Sequence, residues 1–307
     1  MKFKSITIAA FVMLVLCVSQ THAQSDRTFV STAGIDSATC GSFNSPCRSF
    51  NVALPNTNDG GIVTALDSGL YDSFGIGIFI SVTLTAAPGV HAELPGIIVN
   101  TTTTNTVVLR NLYVSKQNSG PSEGIKITGV GAVHIENCVV DRFSTGISFA
   151  LNNSAQAFIN NTVVRNCVAD GITFFTNTGI IKASIENSRF ENNGFTAGVG
   201  NGLNVSKRSK VTVRQSSANG NGAAGFTVSD GELNLENCEA SNNKDGVVAS
   251  GGESGVGNAL VSNTIVTHNS QFGFRQIGMS VFNSRGNNTV RKNGTNTSGP
   301  ITVISGT

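Results

Sequence analysis

The sequence predicts an all-β fold in which short strands wind around a single long axis, and a repeated segment is the first observation behind this prediction. Versions of Ile135-Glu136-Asn137-Cys138 return along most of the chain. We call the third residue of each version the anchor, and the anchors are Asn111, Asn137, Asn161, Asn187, Gln215, Asn237, Asn263 and Asn287. Successive anchors lie 22 to 28 residues apart, about 25 on average, which is the period of a stacked-repeat protein.

Apolar residues that alternate on both sides of the anchor are the second observation. The residues four and two positions before it are apolar in the first seven repeats, as Val133 and Ile135 illustrate. The residue three positions after it is apolar in all eight repeats, as at Val140. A spacing of two is typical of a strand with one buried face, so the anchor lies where one strand bends into the next.

A glycine that opens a further apolar alternation is the third observation, as in Gly146-Ile147-Ser148-Phe149. No segment of the repeats has an apolar stripe of helical period and length, which argues against leucine-rich and helical-hairpin solenoids. The sequence therefore predicts a parallel β-helix with three short strands per coil, each coil about 4.8 Å above the last.

The anchor column has a predicted structural role. An asparagine side chain carries both a donor and an acceptor for the peptide groups of a sharp corner, so we predict an internal ladder through the seven asparagine anchors. A second column follows the anchors by six residues and contains Asn193, Asn221, Asn243, Asn269 and Asn293. Three of its members precede a glycine, so we predict that this second column occupies solvent-facing turns.

These repeats resemble the right-handed parallel β-helix proteins of the pectin-lyase-like superfamily. The resemblance rests on the Ile-Glu-Asn-Cys and Gly-Ile-x-Phe segments and covers about residues 60–307, which we predict to form the β-helix domain. It implies a fold and no particular activity, because the superfamily contains lyases, hydrolases, epimerases and adhesins.

Residues 1–23 are predicted to be a Sec-type signal peptide. Lys2 and Lys4 precede an apolar run from Ile6 to Val18, and Ala23 closes a segment of small residues suited to cleavage. We therefore expect a periplasmic or extracellular protein, with a lipid anchor at Cys17 as the alternative. No later segment approaches the 18 apolar residues of a membrane span, so no transmembrane segment is predicted.

Residues 24–59 differ in composition and are predicted to cap the N-terminal end of the coil. Cys40 and Cys47 are close in sequence, and in an exported protein such a pair is expected to form a disulfide. Ser45 and Pro46 are predicted to begin a short capping helix that Pro55 ends, and the resemblance supports this cap. The remaining cysteines are Cys138, Cys167 and Cys238, which we predict to be buried free thiols.

Charge is sparse and balanced. The chain has 20 basic and 18 acidic side chains, and removal of Lys2 and Lys4 with the signal peptide would leave 18 of each. A neutral chain offers no positive field for nucleic acid, so no nucleic-acid partner is predicted. Outward positions one residue before the anchors are predicted to form a charge ladder, with Arg110 beside Glu136 and Arg214 between Glu186 and Glu236.

No catalytic constellation is evident. The outward positions of the strands that follow the glycines carry no carboxylate, and the sequence motifs of polygalacturonases and mannuronan epimerases are absent. The three histidines outside the signal peptide are widely separated, so neither a metal site nor a cofactor is predicted. The best remaining titratable group is Asp141, Arg165, Asp170 and Glu191, which we interpret as a charge ladder first and a catalytic site second.

Lys207, Arg208 and Lys210 form a basic cluster, which we interpret first as a solvated turn and second as a site for an acidic sugar or a cell-envelope component. The hypothesis favoured by the sequence is an exported, non-catalytic β-helix with a binding or structural role, with a glycan or an envelope component as its partner. The alternative is a polysaccharide lyase or glycoside hydrolase whose site is walled by the insertion at residues 195–201. The sequence does not specify an oligomeric state.

Overall fold

A computed structural model describes residues 24–117, 120–194, 198–252 and 255–305. The strands, in chain order, are β1 (Ser25–Val30), β2 (Thr57–Ala65), β3 (Gly69–Leu70), β4 (Ile76–Ile78), β5 (Val82–Ala86), β6 (Ala92–Leu94), β7 (Ile97–Asn100), β8 (Thr106–Arg110), β9 (Leu112–Ser115), β10 (Glu123–Gly129), β11 (Ala132–Glu136), β12 (Val139–Asp141), β13 (Thr145–Leu151), β14 (Ala155–Asn160), β15 (Val163–Arg165), β16 (Ile172–Thr176), β17 (Ile181–Glu186), β18 (Arg189–Glu191), β19 (Leu203–Ser206), β20 (Ser209–Arg214), β21 (Ser217–Asn219), β22 (Ala224–Ser229), β23 (Glu232–Glu236), β24 (Glu239–Ser241), β25 (Asp245–Gly252), β26 (Gly255–Val256), β27 (Asn258–Ser262), β28 (Ile265–Thr267), β29 (Phe272–Ile277), β30 (Val281–Ser284), β31 (Thr289–Arg291), β32 (Thr295–Ser298) and β33 (Ile301–Val303). One short helix, α1 (Phe50–Ala53), precedes β2 and runs into a 3-10 turn at Leu54–Asn56.

The strands stack into three sheets, as predicted. The first sheet has 12 strands and contains those that precede the anchors, the second has 11 and contains those that follow the glycines, and the third has 10 and contains those that follow the anchors. Each strand pairs in parallel with its counterpart one coil away, so Val133 is in register with Val107 on one side and Ala157 on the other. Within the described ranges, only β25 and β26 pair as antiparallel strands. The predicted fold, a parallel β-helix of three strands per coil, is confirmed.

The core is one continuous column of apolar side chains inside the three sheets. The predicted inward positions are buried except for Val290, which is partly buried. Phenylalanines of adjacent coils stack, with the rings of Phe149 and Phe174 4.5 Å apart. Cys138, Cys167 and Cys238 are buried free thiols, as predicted. Burial raises the pKa of Cys138 and Cys167 to about 12, so these thiols remain protonated and serve as small core residues.

The anchor column does not form the internal ladder that the sequence predicted. The anchors Asn111, Asn137, Asn161, Asn187, Gln215, Asn237 and Asn263 have φ between 46° and 58°, in the left-handed region, and Asn137, Asn161, Asn187, Gln215, Asn237, Asn263 and Asn287 are exposed. The bend between the first and third sheets requires one left-handed residue, a conformation that asparagine tolerates better than most side chains. This backbone turn points the anchor outward, where the side chain of Asn161 donates to that of Asn137 at 2.8 Å.

The internal ladder lies in the second column, which was predicted to face solvent. Asn193, Asn221, Asn243 and Asn269 are buried, and the side-chain amide of each donates to the next, at 2.9 Å from Asn221 to Asn243. Each amide also donates to a carbonyl of an earlier coil, as Asn243 does to Ala218 at 2.9 Å. The oxygen of Asn243 accepts in turn from the backbone N–H of Asn221. The prediction was wrong because the side chain of a turn residue can point into the core, where an amide pairs with the buried peptide groups of the corner.

The N-terminal segment packs on the first coil and extends its first sheet. Strand β1 pairs with β2, and β2 crosses residue 59, where the sequence analysis divided the cap from the coil. The predicted disulfide is present, with the Cα atoms of Cys40 and Cys47 4.9 Å apart. The predicted helix start at Ser45 was wrong. The backbone N–H of Cys47 donates to Phe29 and keeps this segment extended, so the helix begins at Phe50 with Ser49 as its N-cap.

A buried network joins the cap to the first coil. Asp67 accepts hydrogen bonds from the Ser31 hydroxyl at 2.7 Å, from the Thr32 backbone at 2.8 Å and from the Tyr71 hydroxyl. Burial opposes ionisation of Asp67, but these donors outweigh it and lower the pKa to about 2. Burial, followed by the hydrogen bond to Asp67, raises the pKa of Tyr71. Tyr71 also packs edge-on against Phe50 of the helix, so this one side chain contacts both the helix and Asp67.

The predicted signal peptide, residues 1–23, lies outside the described residues and stays a prediction. In the described part of the chain, no helix has the length and apolarity needed to cross a bilayer.

The inner ladder should contribute more to stability than the anchor column. Asn243→Ala removes donors to Asn269 and Ala218 and leaves buried partners unpaired, so we expect a loss of about 1–3 kcal/mol in the free energy of unfolding. Asn237→Gly is the matched control, because glycine preserves the left-handed turn of an exposed anchor. Urea unfolding monitored by circular dichroism measures both, and equal losses would contradict this assignment of the ladder.

The Asp67 network should also make stability depend on acid. Because the folded-state pKa of Asp67 lies below its ordinary value of 3.8, its contribution is complete above that pH and is lost as the pH falls towards about 2. After allowance for solvent screening we expect about 1–2 kcal/mol. The difference in unfolding free energy between the native chain and Asp67→Asn should therefore shrink between about pH 4 and pH 2. A constant difference across this range would rule the network out as the cause.

Candidate functional site

Three of the four candidate catalytic residues lie side by side. Asp141, Arg165 and Glu191 end the adjacent strands β12, β15 and β18 and occupy one register column of the third sheet. Asp170 is separate from them, because it precedes β16 in the second sheet. There its carboxylate accepts from the backbone and side chain of Asn201 and from the side chain of Asn204, each at 2.8 Å. The structure therefore joins three of the predicted residues and excludes the fourth.

Asp141 is the centre of this row. It is buried, and its two oxygens accept from the Tyr113 hydroxyl at 2.9 Å and from the Asn166 amide at 2.8 Å. The guanidinium groups of Arg165 and Arg142 lie beside the same carboxylate, with Nε-to-oxygen distances of 3.4 Å and 3.5 Å. The Tyr113 hydroxyl, and after it Asp141, raise the pKa of Arg165 against the effect of burial, so Arg165 is a permanent cation.

Sequence reasoning missed the neighbours on the preceding coils. The ring of His91 lies against that of Tyr113 with centroids 4.7 Å apart, and Glu93 accepts hydrogen bonds from Ser115 and from Gln117. Tyr113 could have been found from the repeat, because it occupies the same position in its coil as Val139, which lies two residues before Asp141. His91 and Glu93 belong to the irregular first coils, and no repeat in the sequence sets their register.

The chemistry available to this row is limited by its own hydrogen bonds. Asp141 is occupied by neutral donors and two cations, and Glu191 pairs with Arg189 at 3.4 Å. A general base must be free to reach a substrate proton. The row therefore matches the predicted charge ladder, a pattern that the first sheet repeats. There Arg110 pairs with Glu136 at 2.7 Å, and Arg214 lies 3.2 Å from Glu236 and 3.8 Å from Glu186.

The predicted basic cluster lies at a different corner, between the second and first sheets. Lys210 pairs with Glu232 at 2.8 Å, whereas Lys207 places its ammonium 5.6 Å from the ring centre of Phe175. Lys207 borders a shallow depression of about 380 Å³, which we call the corner groove. Its lining includes Phe175, Ser206, Lys207, Ser229, Asp230 and Ser250. Asp230 also lines an adjoining hollow of about 390 Å³ that contains Arg208 and Lys210, so the three predicted residues border one continuous surface.

Three serines form the floor of the corner groove. Ser206, Ser229 and Ser250 are in register on β19, β22 and β25, so their hydroxyls repeat once per coil. The antiparallel pair of β25 and β26 forms one wall. A Cβ atom at Gly255 would lie 2.0 Å from the Asp230 carboxyl group, so this hairpin packs directly against Asp230. The insertion predicted as a wall, residues 195–201, lies partly outside the described residues, and its described part, residues 198–201, is not among the residues that line this groove.

One cluster of metal-ligand types occurs in the described chain, at Asp36, Cys40 and Cys47. Its two cysteines are joined to each other as the disulfide, so their sulfurs are not available as thiolate ligands.

Comparison with protein families decides the classification. The model of a right-handed β-helix region matches residues 151–306, which is half of the chain. The chain belongs to the right-handed β-helix family. No curated protein sequence matches it significantly.

Solved structures of similar fold align with more of the chain than the residues matched by the family model. An alginate lyase from Paenibacillus sp. str. FPU-7 matches with a TM-score of 0.64 at 14% identity, over 89% of this chain and 99% of that one. The pectate lyase Pel9A matches at 0.55 with 18% identity, over 89% and 71%. XylC in complex with xylose matches at 0.58 with 9% identity, over 87% and 70%. At these identities the likeness establishes the fold alone.

Proposed function

We propose that this β-helix is an exported, non-catalytic polysaccharide-binding protein and that the glycan lies in the corner groove. The observation that carries the proposal is the composition of the groove, in which an aromatic ring, a lysine and a carboxylate surround a row of serine hydroxyls. Three proteins of similar fold, named or described with alginate, pectate or xylose, support a carbohydrate ligand. The disulfide supports export, because such bonds persist in oxidising compartments.

The groove offers both kinds of contact that a sugar requires. A pyranose ring has an apolar face, for which the half-buried ring of Phe175 is a platform, and a rim of hydroxyls that need donors and acceptors. Asp230 supplies acceptors, Lys207 supplies donors, and Ser229 supplies both. Because the serines repeat once per coil, successive sugar units can meet the same groups along the axis.

The absence of catalysis is proposed from the state of the titratable groups in the described residues. Asp141 and Asp170 each accept several hydrogen bonds from neighbouring side chains or backbone, and Glu191 faces Arg189. Among the described residues that line the corner groove, Asp230 is the one carboxylate and no histidine occurs. Acid–base cleavage needs two titratable groups that converge on one bond, so the groove is better suited to binding.

Substitutions in the groove test the proposed binding. A glycan array followed by calorimetry on the best ligand should show that Phe175→Ala and Asp230→Asn each weaken affinity by about tenfold, which corresponds to loss of one good contact. Phe158→Ala is the matched control, because Phe158 is an exposed phenylalanine, 38% accessible, on the first sheet. If Phe158→Ala weakened binding as much as Phe175→Ala, the glycan would not lie in the corner groove.

Incubation with polymers tests the non-catalytic part. We expect the purified chain to leave pectate, alginate and polygalacturonate intact with and without Ca²⁺, as followed by unsaturated products and by reducing ends. Turnover that disappears in Arg165→Ala or Asp170→Ala would instead support the alternative, a lyase or hydrolase. Turnover that persists in both variants would place the active site elsewhere and equally contradict the proposal.

A further inference from the structure

Two arginines on adjacent coils of the third sheet share one buried carboxylate. Arg142 directly follows Asp141, and Arg165 is in register with Asp141 on the next strand, about 4.8 Å away at the strand spacing. Both guanidinium groups approach Asp141 through Nε. Asp141 therefore holds the inner edges of two cations while it is itself fixed by Tyr113 and Asn166.

The outer edges of these cations are partly exposed, with 58% and 39% of the side-chain surfaces of Arg142 and Arg165 accessible. Among the described residues the Tyr113 hydroxyl interacts with the Arg165 guanidinium in addition to Asp141. In the same residues, Nε of Arg165 is the single buried side-chain nitrogen or oxygen without a hydrogen-bond partner. Buried donors are normally satisfied, so Nε of Arg165 is held 3.4 Å from Asp141 by charge. A ligand could reach only the exposed part of this guanidinium.

Charge and shape at this place favour an anionic ligand. Asp141, Arg142 and Arg165 together carry an excess of one positive charge, and Arg189 with Glu191 on the next coil adds none. On the preceding coils Glu93 and Lys116 add one charge of each sign, so the excess remains. A guanidinium edge carries parallel donors that match two oxygens of a carboxylate or a sulfate. The rings of His91 and Tyr113, which are tilted against each other, lie on the preceding coils, and Tyr113 reaches the row through its hydroxyl on Asp141.

We propose that Arg142 and Arg165, set by Asp141, form an oxyanion clamp for the carboxylate or sulfate groups of an acidic polysaccharide. The clamp lies on the third sheet and the corner groove lies between the second and first sheets, so the clamp stands independently of the proposed groove.

Calorimetric titration with three polymer probes tests the clamp. Oligogalacturonate supplies carboxylates, dextran sulfate supplies sulfates, and unmodified dextran supplies neither. We expect at least one anionic probe to bind, with an affinity that falls as salt is added. Unmodified dextran should not displace the bound anionic probe. Comparison of the two anionic probes distinguishes carboxylate from sulfate as the preferred group. Arg142→Gln and Arg165→Gln should each weaken the bound anionic probe about tenfold.

Two further variants separate a built clamp from general attraction. Arg110→Gln is the matched control, because Arg110 is a similarly exposed arginine that also meets a carboxylate through Nε, on the first sheet. Asp141→Asn raises the net charge by one, so general attraction would strengthen binding. If the clamp is correct, loss of the carboxylate that positions the two arginines should weaken binding instead. Circular dichroism confirms that each variant is folded.

Several outcomes of these titrations would contradict the clamp. Equal losses in Arg110→Gln and Arg165→Gln, tighter binding by Asp141→Asn, or absence of binding by both anionic probes would each overturn it. Retention of anion binding by Phe175→Ala would show that the clamp acts independently of the corner groove, whereas a matching loss would assign the anion to the groove and overturn the clamp.

Discussion

The stacking of coils at one strand spacing is the constraint on which the rest of this structure depends. Parallel strands place equivalent residues of successive coils directly above one another, so a side chain that suits one coil must also suit its neighbours. Apolar columns satisfy this requirement along the sheets. At the corners, where the peptide groups leave the ladder, a side chain with both a donor and an acceptor is needed, and the inner asparagine column supplies it.

The two asparagine columns show that one residue type can solve two different corner problems. At the anchors the backbone must turn through a left-handed residue, and asparagine is chosen for its tolerance of that conformation. At the inner column the left-handed residue is the one just before the asparagine, as at Asn242, and the asparagine amide pairs with the next amide and with a carbonyl of an earlier coil. Earlier coils fill the same inner position with Phe143 and Cys167, which are also buried. An inward side chain is therefore a property of the position, and its polarity varies along the axis.

Stacking also shapes the surfaces on which function depends. Outward columns of alternating charge neutralise one another, as Arg110 and Glu136 do, and leave flat faces with little free chemistry. The corner groove differs, because a serine column is flanked by Phe175 and by a hairpin that rises from the coil. The row at Asp141 differs in another way, because a carboxylate there is shared by two arginines and not matched one to one. Both surfaces depart from the regular charge ladder, and both are surfaces on which we propose that a ligand binds.

The architecture of the coil could be predicted from the sequence alone. Its period, its apolar columns and its glycines predicted three parallel sheets, the inward residues and the charge pairs, because strand stacking converts spacing along the chain directly into neighbours in space. The disulfide and the buried thiols also followed from sequence context. Which asparagine column faces inward could be seen only in the folded structure, because the direction of each side chain depends on the φ angles at its corner, and residue identity does not specify them. The folded structure also separated Asp170 from Asp141, placed His91 against Tyr113 and put Lys207 over Phe175, since these contacts join corners and coils whose lengths vary outside the repeat.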